Sequence, residues 1–485
     1  MKLLQDLLYK IDLTETIGDL NLGISEVFFD SRKVTKDSVF VAVSGTNLDG
    51  NIFIEEAIKK GSIAIVSEKI PSHVQDNITY IKVNNARKAL SVLASNFYNN
   101  PSSKIKLIGV TGTNGKTTVV NLLFQFFQLI GEKCGMLSTI DNRINNYKEV
   151  SALTTLDPVS INYFINKMVE DGCRYCFMEV SSHALSQMRV FGLNFNVAVF
   201  LNISHDHLDY HKSFDNYLST KKSFFDLLED ESISIINQDD KHFADIIDNI
   251  KSKYYTFSFN KSSDFKGSKI ECNFNYSILN FNGQKFKTKL IGDFNFYNLL
   301  AVYSVINFFK KNNHNILKNF EFLNPPSGRM QKIQSLSTII GLVDYAHTPD
   351  ALEKVLLMIN SLKQDNQSVI TVFGCGGDRD KSKRSKMGKI AFKLSDKIII
   401  TSDNPRTENP LFIIEEIKSG IHVLEEDRVF VLEDRLQAIQ KACDLAEKND
   451  IILIAGKGHE KYQDIHGEKI DFDDVQTLQE LLKKH

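Results

Sequence analysis

The run Ile108-Gly109-Val110-Thr111-Gly112-Thr113-Asn114-Gly115-Lys116-Thr117-Thr118 decides the fold. An apolar strand ends, glycines turn the chain, and a helix begins at Thr117. Gly112 and Gly115 let backbone N–H groups approach phosphate oxygens closely, and the helix N-terminus adds favourable partial charge. Lys116 can reach β- and γ-phosphates, and a threonine hydroxyl can hold Mg2+. The common G-x-x-x-x-G-K-[ST] pattern wants glycine where this chain has Val110, so the loop is a variant form.

Working outward, residues 105–237 read as strand–helix units, with strands at 105–110, 175–180, 197–202 and 233–236. Met178-Glu179-Val180-Ser181-Ser182-His183 ends one strand with a carboxylate. Asn202-Ile203-Ser204-His205-Asp206-His207-Leu208-Asp209-Tyr210-His211 ends the next with acids and imidazoles. Parallel neighbours would bring both ends to the loop's side of the sheet, where such ligands suit Mg2+ bound to ATP. His205 or His211 reads as a surface or capping residue. From about 254 to 290 the period becomes strand–turn–strand, with Asn282-Gly283 as a hairpin signal. A helix over 295–309 closes the segment.

Two linkers stand out by composition, Asn99-Asn100-Pro101-Ser102-Ser103 and Asn324-Pro325-Pro326-Ser327-Gly328. Before the first, short strands at 39–43, 62–66 and 80–83 alternate with helices, and residues 1–13 read as an amphipathic helix. After the second, strands at 339–345, 369–373, 397–401, 429–432 and 451–455 predict a further parallel sheet. The fold class is α/β in three domains: residues 1–98, a central P-loop parallel-sheet domain with added β-hairpins at 99–328, and a Rossmann-like domain at 329–485. A length of 485 residues agrees with several domains of roughly 100–200 residues each.

Composition narrows the class. The chain is 42% hydrophobic and 24% charged, enough apolar surface to pack. Lys+Arg number 58 against 60 Asp+Glu, so no basic excess exists for a nucleic-acid backbone. No apolar run nears the ~20 residues of a membrane span. Six cysteines do not make a disulfide scaffold, and the Cys173/Cys176 pair reads as buried thiols. The expected compartment is the cytoplasm, and monomer is the default state.

Taken together, these motifs resemble the Mur ligase family, the ATP-dependent amide ligases of peptidoglycan precursor synthesis. The matching elements are the 112–118 loop, the Glu179 and Asp206-His207 strand ends, and Gly292-Asp293-Phe294-Asn295-Phe296-Tyr297-Asn298. Ser327-Gly328-Arg329, Asp344-Tyr345-Ala346-His347-Thr348-Pro349 and Gly456-Lys457-Gly458-His459-Glu460 complete the series. Within the family the chain is similar to the type that adds the third amino acid. The resemblance implies ATP, Mg2+ and a UDP-N-acetylmuramoyl-L-alanyl-D-glutamate substrate. It also implies phosphorylation of the D-Glu carboxylate, then attack of an amine on the acyl phosphate.

Carried over residue by residue, the resemblance gives Lys116, Glu179, His207 and Lys221 catalytic roles. ATP would meet Gly112, Thr113, Asn114, Gly115, Lys116, Thr117 and Thr118, with Asn298 at the adenine, Arg329 at the phosphates and Asp344 at the ribose. Phe29, Ser31, Thr46, Asn47 and Leu48 would bind the uridine diphosphate end in residues 1–98. Thr154, Thr155, Ser182, Gln187 and Arg189 would meet the muramoyl dipeptide. The metal set is Thr117, Glu179, His207 and Lys221, the last as a carbamate formed with CO2, with Lys222 next door as the register alternative. Thr401-Ser402-Asp403-Asn404-Pro405-Arg406 marks meso-diaminopimelate rather than lysine as the amine. Diaminopimelate carries one more carboxylate than lysine, which a guanidinium can hold by two parallel hydrogen bonds. Arg379, Asp403, Asn404, Pro405, Arg406, Gly456 and Glu460 form that set. A sister ligase such as folylpolyglutamate synthase, a P-loop kinase or motor, and a non-catalytic scaffold are the alternatives weighed against this.

Overall fold

The computed structural model describes residues 1–45, 48–310, 316–333, 338–421 and 426–484. Its centre is an eleven-stranded sheet. The strand Lys106–Thr111 leads into the phosphate loop and lies between two parallel neighbours, Tyr175–Glu179 and Val197–Phe200. Parallel pairing continues outward to Cys134–Leu137 on one side and Phe265–Cys272 on the other. Antiparallel hairpins finish both edges. One is Ser277–Phe281 with Gln284–Thr288, turned at Asn282-Gly283 with positive φ at both residues, as the sequence predicts.

Strands buried on both faces must be apolar throughout, and Tyr175–Glu179 and Val197–Phe200 are buried at every position. The helix Lys116–Leu129 covers one face, and its Phe127 ring packs 4.4 Å from Tyr175 and 5.0 Å from Phe177. Burying such a side chain contributes about 1.5–3 kcal/mol. That packing ties the helix that follows the loop to the strand that carries Glu179.

Residues 13–83 build a five-stranded sheet, parallel except for its edge strand Leu13–Ile17. Beyond residue 330, a six-stranded sheet is parallel except for Gln331–Lys332. Among the described residues, no helix is long and apolar enough to cross a membrane.

One expectation needs correction. The N-terminal helix shrinks to Leu4–Leu7, because Lys2–Leu3 pairs with Gly23–Ile24 and Leu13–Ile17 pairs with Thr79–Val83. Lys10 turns the chain between them with φ +63. Leu4 and Leu7 stay buried inside the short helix, while Leu3 and Leu13 on the pairing strands are 40% and 39% exposed, so backbone pairing rather than leucine burial ends the helix. The stretch read as the first linker holds a 3-10 turn, Pro101–Lys104.

Candidate active site

The loop is held before any ligand is considered. Asn114 N–H donates to Asn202 Oδ1 at 2.9 Å, and Asn202 Nδ2 donates to the Asn114 carbonyl at 3.1 Å. The Thr113 hydroxyl lies 2.9 Å from Tyr217 OH. Gly115 has φ +91, and a Cβ there would strike the Asn298 amide oxygen, so glycine is required twice over. Lys116 Nζ folds over the loop onto the carbonyls of Gly112 (2.7 Å) and Thr113 (2.9 Å). Burial holds this amine below the usual lysine range.

Glu179 stands at the rim. Its carboxylate accepts from Thr117 Oγ1 at 3.0 Å and from Thr139 N–H at 2.6 Å. Lys221 is buried and donates to the same Gly112 carbonyl at 3.0 Å. Burial, and then the neighbouring Lys116, push its amine well below its ordinary value. Lys222 instead points outward to pair with Asp226 at 2.5 Å. His207 sits with φ +54, its ring 4.8 Å from His183. Burial lowers both rings to about 4. Burial alone would raise Asp206, but His207, His347 and Lys383 bring its carboxyl below the usual range. His205 is exposed, while His211 is buried with Nε2 3.0 Å from Ser182 Oγ.

Arg189 is aimed by its neighbours. It donates to the Thr155 carbonyl at 2.7 Å and twice to Gln187 Oε1, at 3.0 and 2.7 Å. The Thr155 hydroxyl donates to the Glu179 carbonyl at 2.8 Å, and Thr139 donates to Thr154 at 3.2 Å. Phe29, Ser31 and Leu48 lie on the N-terminal sheet's loops, with Ser31 donating to Glu56 at 2.9 Å and Leu48 64% exposed. Thr46 and Asn47 lie outside the described residues.

The last domain contributes the opposite wall. Arg329 Nη2 donates to Thr117 Oγ1 at 3.3 Å, and its guanidinium lies 4.4 Å from the Tyr345 ring. Asp344 accepts the N–H groups of Met330 (2.7 Å) and Ala346 (2.8 Å), and burial raises its pKa. Asn298 is buried and donates to Asn295 at 3.2 Å. Gly328 (φ +65) and Gly458 (φ +52) meet back to back, so that a Cβ on Gly328 would overlap the Gly458 and His459 backbone. Asn404 links three groups: Oδ1 accepts from Lys457 (2.9 Å) and Asp464 N–H (2.9 Å), and Nδ2 donates to Glu460 (2.7 Å). Burial and Asp403 raise Glu460. Asp403, despite its own burial, is kept below its ordinary value by Lys457, Arg435 and Lys383. Arg406 donates to the Gly377 carbonyl at 2.6 Å and holds φ +53. Arg379 is exposed at the end of its loop.

A cavity of about 420 Å³ joins these walls: Lys116, Thr117, Glu179 and Lys221 face Thr154, Ser182 and Arg189, with Arg379, Asn404, Arg406 and Glu460 opposite. A second cavity of about 500 Å³ opens behind the loop between Asn298, Tyr297, Asp344, Arg329 and Met358. Sequence reasoning left out Asn202, Asp350, Lys383 and Lys457. Asp350 accepts from Asn114 and from Ser204, both at 3.1 Å, bridging the last domain to the phosphate loop. Lys383 donates to the His347 carbonyl at 2.9 Å and lines the first cavity. Lys457 stands inside the Gly456–Glu460 motif, and Lys383 lies four residues after Arg379. Asp350 directly follows the Asp344–Pro349 motif, but its partners Asn114 and Ser204 lie 236 and 146 residues away, and nothing local announces that pairing.

Burial lowers His347 to about 4 and His459 to about 3. Both are neutral when folded near neutrality, whereas the unfolded chain takes up protons near about 6.5. Below that pH the unfolded state binds more protons, so stability is full above about 6.5 and is lost as pH falls towards about 4. The melting temperature should therefore drop from about pH 7 to about pH 5, and by less in a chain with both histidines changed to asparagine. An unchanged melting temperature across that window would contradict these burial assignments.

The fold and site define a three-domain, phosphate-loop α/β protein with a second ligand wall on its last domain. Three family models match: "Mur ligase family, catalytic domain" at residues 23–98, "Mur ligase middle domain" at 110–306, and "Mur ligase, glutamate ligase domain" at 328–458. The chain is 45% identical over 480 residues to the UDP-N-acetylmuramoyl-L-alanyl-D-glutamate–2,6-diaminopimelate ligase of Cytophaga hutchinsonii, covering 99% of each. It is 44% identical over 478 residues to the ligase of the same name from Bacteroides fragilis, again covering 99% of each. A solved structure of a ligase so named matches at TM-score 0.69 and 29% identity, over 99% of this chain and 98% of that one. The chain belongs to the Mur ligase family.

Proposed function

We propose that this chain is the ATP-dependent ligase that joins meso-diaminopimelate to the D-Glu of UDP-N-acetylmuramoyl-L-alanyl-D-glutamate in peptidoglycan precursor synthesis. The observation that carries the reading is the single cavity shared by the phosphate loop, Arg189 and the Arg379/Arg406 wall. A kinase or motor needs no such third wall, and full-length similarity to named ligases supports the same choice over a sister ligase.

The chemistry asks two anions to meet. The D-Glu carboxylate oxygen attacks the γ-phosphorus and ADP leaves. The amine nitrogen then attacks the acyl carbon, phosphate leaves, and the nitrogen gives up a proton. Lys116 and Arg329 supply positive charge where the phosphoryl group would pass, and Arg189, fixed by Gln187 and Thr155, would orient the dipeptide carboxylate. Asn298 and Asp344 would flank the nucleoside in the second cavity. Glu460, oriented by Asn404 and Lys457, would hold the distal ammonium of diaminopimelate, and Arg406 with Arg379 its distal carboxylate.

The donor set fits Mg2+. Among the described residues no group of three His, Cys, Asp or Glu side chains gathers into a closed metal cage. Mg2+ usually takes one or two protein oxygens, keeps waters and shares substrate phosphate oxygens. Thr117 and Glu179, already in contact, are such oxygens, and His207 and a carbamylated Lys221 would stand around them. When bound, the ion would neutralise phosphate charge. The cytoplasm, which supplies ATP and keeps thiols reduced, is the compartment this reading requires.

The test is phosphate release by the purified chain with ATP and the UDP-muramoyl dipeptide. Meso-diaminopimelate should support it roughly 10²–10³ times better than L-lysine, because lysine lacks the second carboxylate that would take charge-assisted hydrogen bonds from Arg406 and Arg379. Equal rates would reject the amine assignment, and release without any amine would reject the ligase.

A further inference from the structure

Arg384 is fully buried, yet it lies behind the cavity wall rather than in it. From the helix Ser382–Leu394 its guanidinium grips both oxygens of Glu408, each at 2.9 Å. It also reaches Glu416 and the Gly376 carbonyl at 3.2 Å. Glu408 in turn accepts the Asp378 N–H at 2.6 Å and pairs with Lys381 at 3.3 Å. The Asp378 carboxylate accepts the Thr407 hydroxyl at 2.8 Å and the Thr407 N–H at 3.2 Å. Gly377 N–H donates to the Asn404 carbonyl at 2.9 Å. Residues 374–380, which carry Arg379, and residues 403–408, which carry Arg406, are therefore stitched into one unit.

Both loops pass through the left-handed region, at Asp378 (φ +53) and at Arg406 itself (φ +53). Side-chain-bearing residues hold that conformation only where their surroundings over-determine it. A buried ion pair is commonly no better for stability than apolar packing of the same volume. What a two-pronged arginine–carboxylate contact adds is fixed geometry. Arg384 holding Glu408 well below the usual carboxylate range, at about 2, keeps that contact ionised.

We infer that Arg384 and Glu408 are positioning residues that set the distance between Arg379 and Arg406, and so set the preference for an amine bearing a second carboxylate. The inference deepens the ligase reading and rests on it. The test is steady-state kinetics of the full-length chain, varying ATP, meso-diaminopimelate and L-lysine in turn. In Glu408→Gln the KM for diaminopimelate should rise ~10-fold or more, since small misplacements of a recognition group are costly. The kcat at saturating diaminopimelate and the KM for ATP should stay within ~2-fold, and the diaminopimelate-to-lysine ratio of kcat/KM should fall by the same ~10-fold. Arg384→Lys keeps the charge but loses the fork, and should behave as Glu408→Gln does.

General loosening would instead move every KM together or lower kcat, and either result overturns the inference, as does an unchanged diaminopimelate KM. Should Glu408→Gln and Arg384→Lys fail to fold by circular dichroism, Thr407→Val at the exposed end of the stitch decides, with an expected ~3-fold rise in the same KM alone. A wild-type chain indifferent to diaminopimelate would refute the amine assignment instead. The positioning role is then judged by whether the KM of the amine it does accept moves apart from that of ATP.

Discussion

Lys221→Ala should lose ligation by at least ~10²–10³ in kcat, the usual cost of removing a preorganised charge at a reacting centre. Short carboxylates such as formate or acetate should restore part of it. The structure supplies the reason in three steps. The amine is buried, shares the Gly112 carbonyl with Lys116, and is pushed well below its ordinary pKa by burial and by that neighbour. A neutral amine has the lone pair to form a bond with the carbon of CO2, releasing a proton and leaving an anionic oxygen pair. The product would place negative charge beside the buried Lys116 amine, which shares the Gly112 carbonyl with Lys221. Lys222→Ala, whose amine faces Asp226 on the outer side of the helix, should remain near wild type. A folded Lys221→Ala chain with full activity, or one that no small carboxylate rescues, would end the carbamate reading.

Arg406→Ala should lower kcat/KM for meso-diaminopimelate by roughly 10²–10³, because the distal carboxylate would lose its partner at ~3–5 kcal/mol. The value for L-lysine should change little, so the two amines converge. Position strengthens the expectation. Arg406 accepts an unusual backbone conformation because its N–H donates to the Asp464 carbonyl at 2.9 Å and its carbonyl accepts from His466 at 2.7 Å. Those bonds would survive the loss of the side chain, so the variant should fold. A parallel fall for both amines would instead mean that Arg406 supports the wall as a whole.

Local signals made much of this legible. The phosphate loop could be read because glycines, a lysine and a helix start stand next to each other in the chain. The three-domain α/β organisation followed from apolar runs and turn residues, and Glu179 and Asp206-His207 from their places at strand ends. The first helix is shorter than its apolar pattern suggests because strand partners far along the chain, at Gly23–Ile24 and Thr79–Val83, claim the residues on either side of it. What stayed hidden are pairings between ordinary residues far apart. Arg384 finds Glu408 across 24 residues, Arg435 finds Asp474 across 39, and Asn114 finds Asp350 across 236. The Arg435–Asp474 pair is wholly buried at 2.7 Å and also holds the Ser402 and Ala455 carbonyls, just before Asp403 and Gly456. Nothing in the neighbourhood of either residue announces it.

The back-to-back glycines at 328 and 458 carry one further consequence. Arg329, next to the first, touches the phosphate loop, and Glu460, just after the second, faces the amine side of the cavity. With no room for a side chain between them, the two backbones lie in direct contact, so a shift of one segment towards the other presses on it. Two occupants held on either side of such a joint are thermodynamically linked: whatever factor nucleotide applies to the affinity for the amino acid, the amino acid must apply to the affinity for nucleotide.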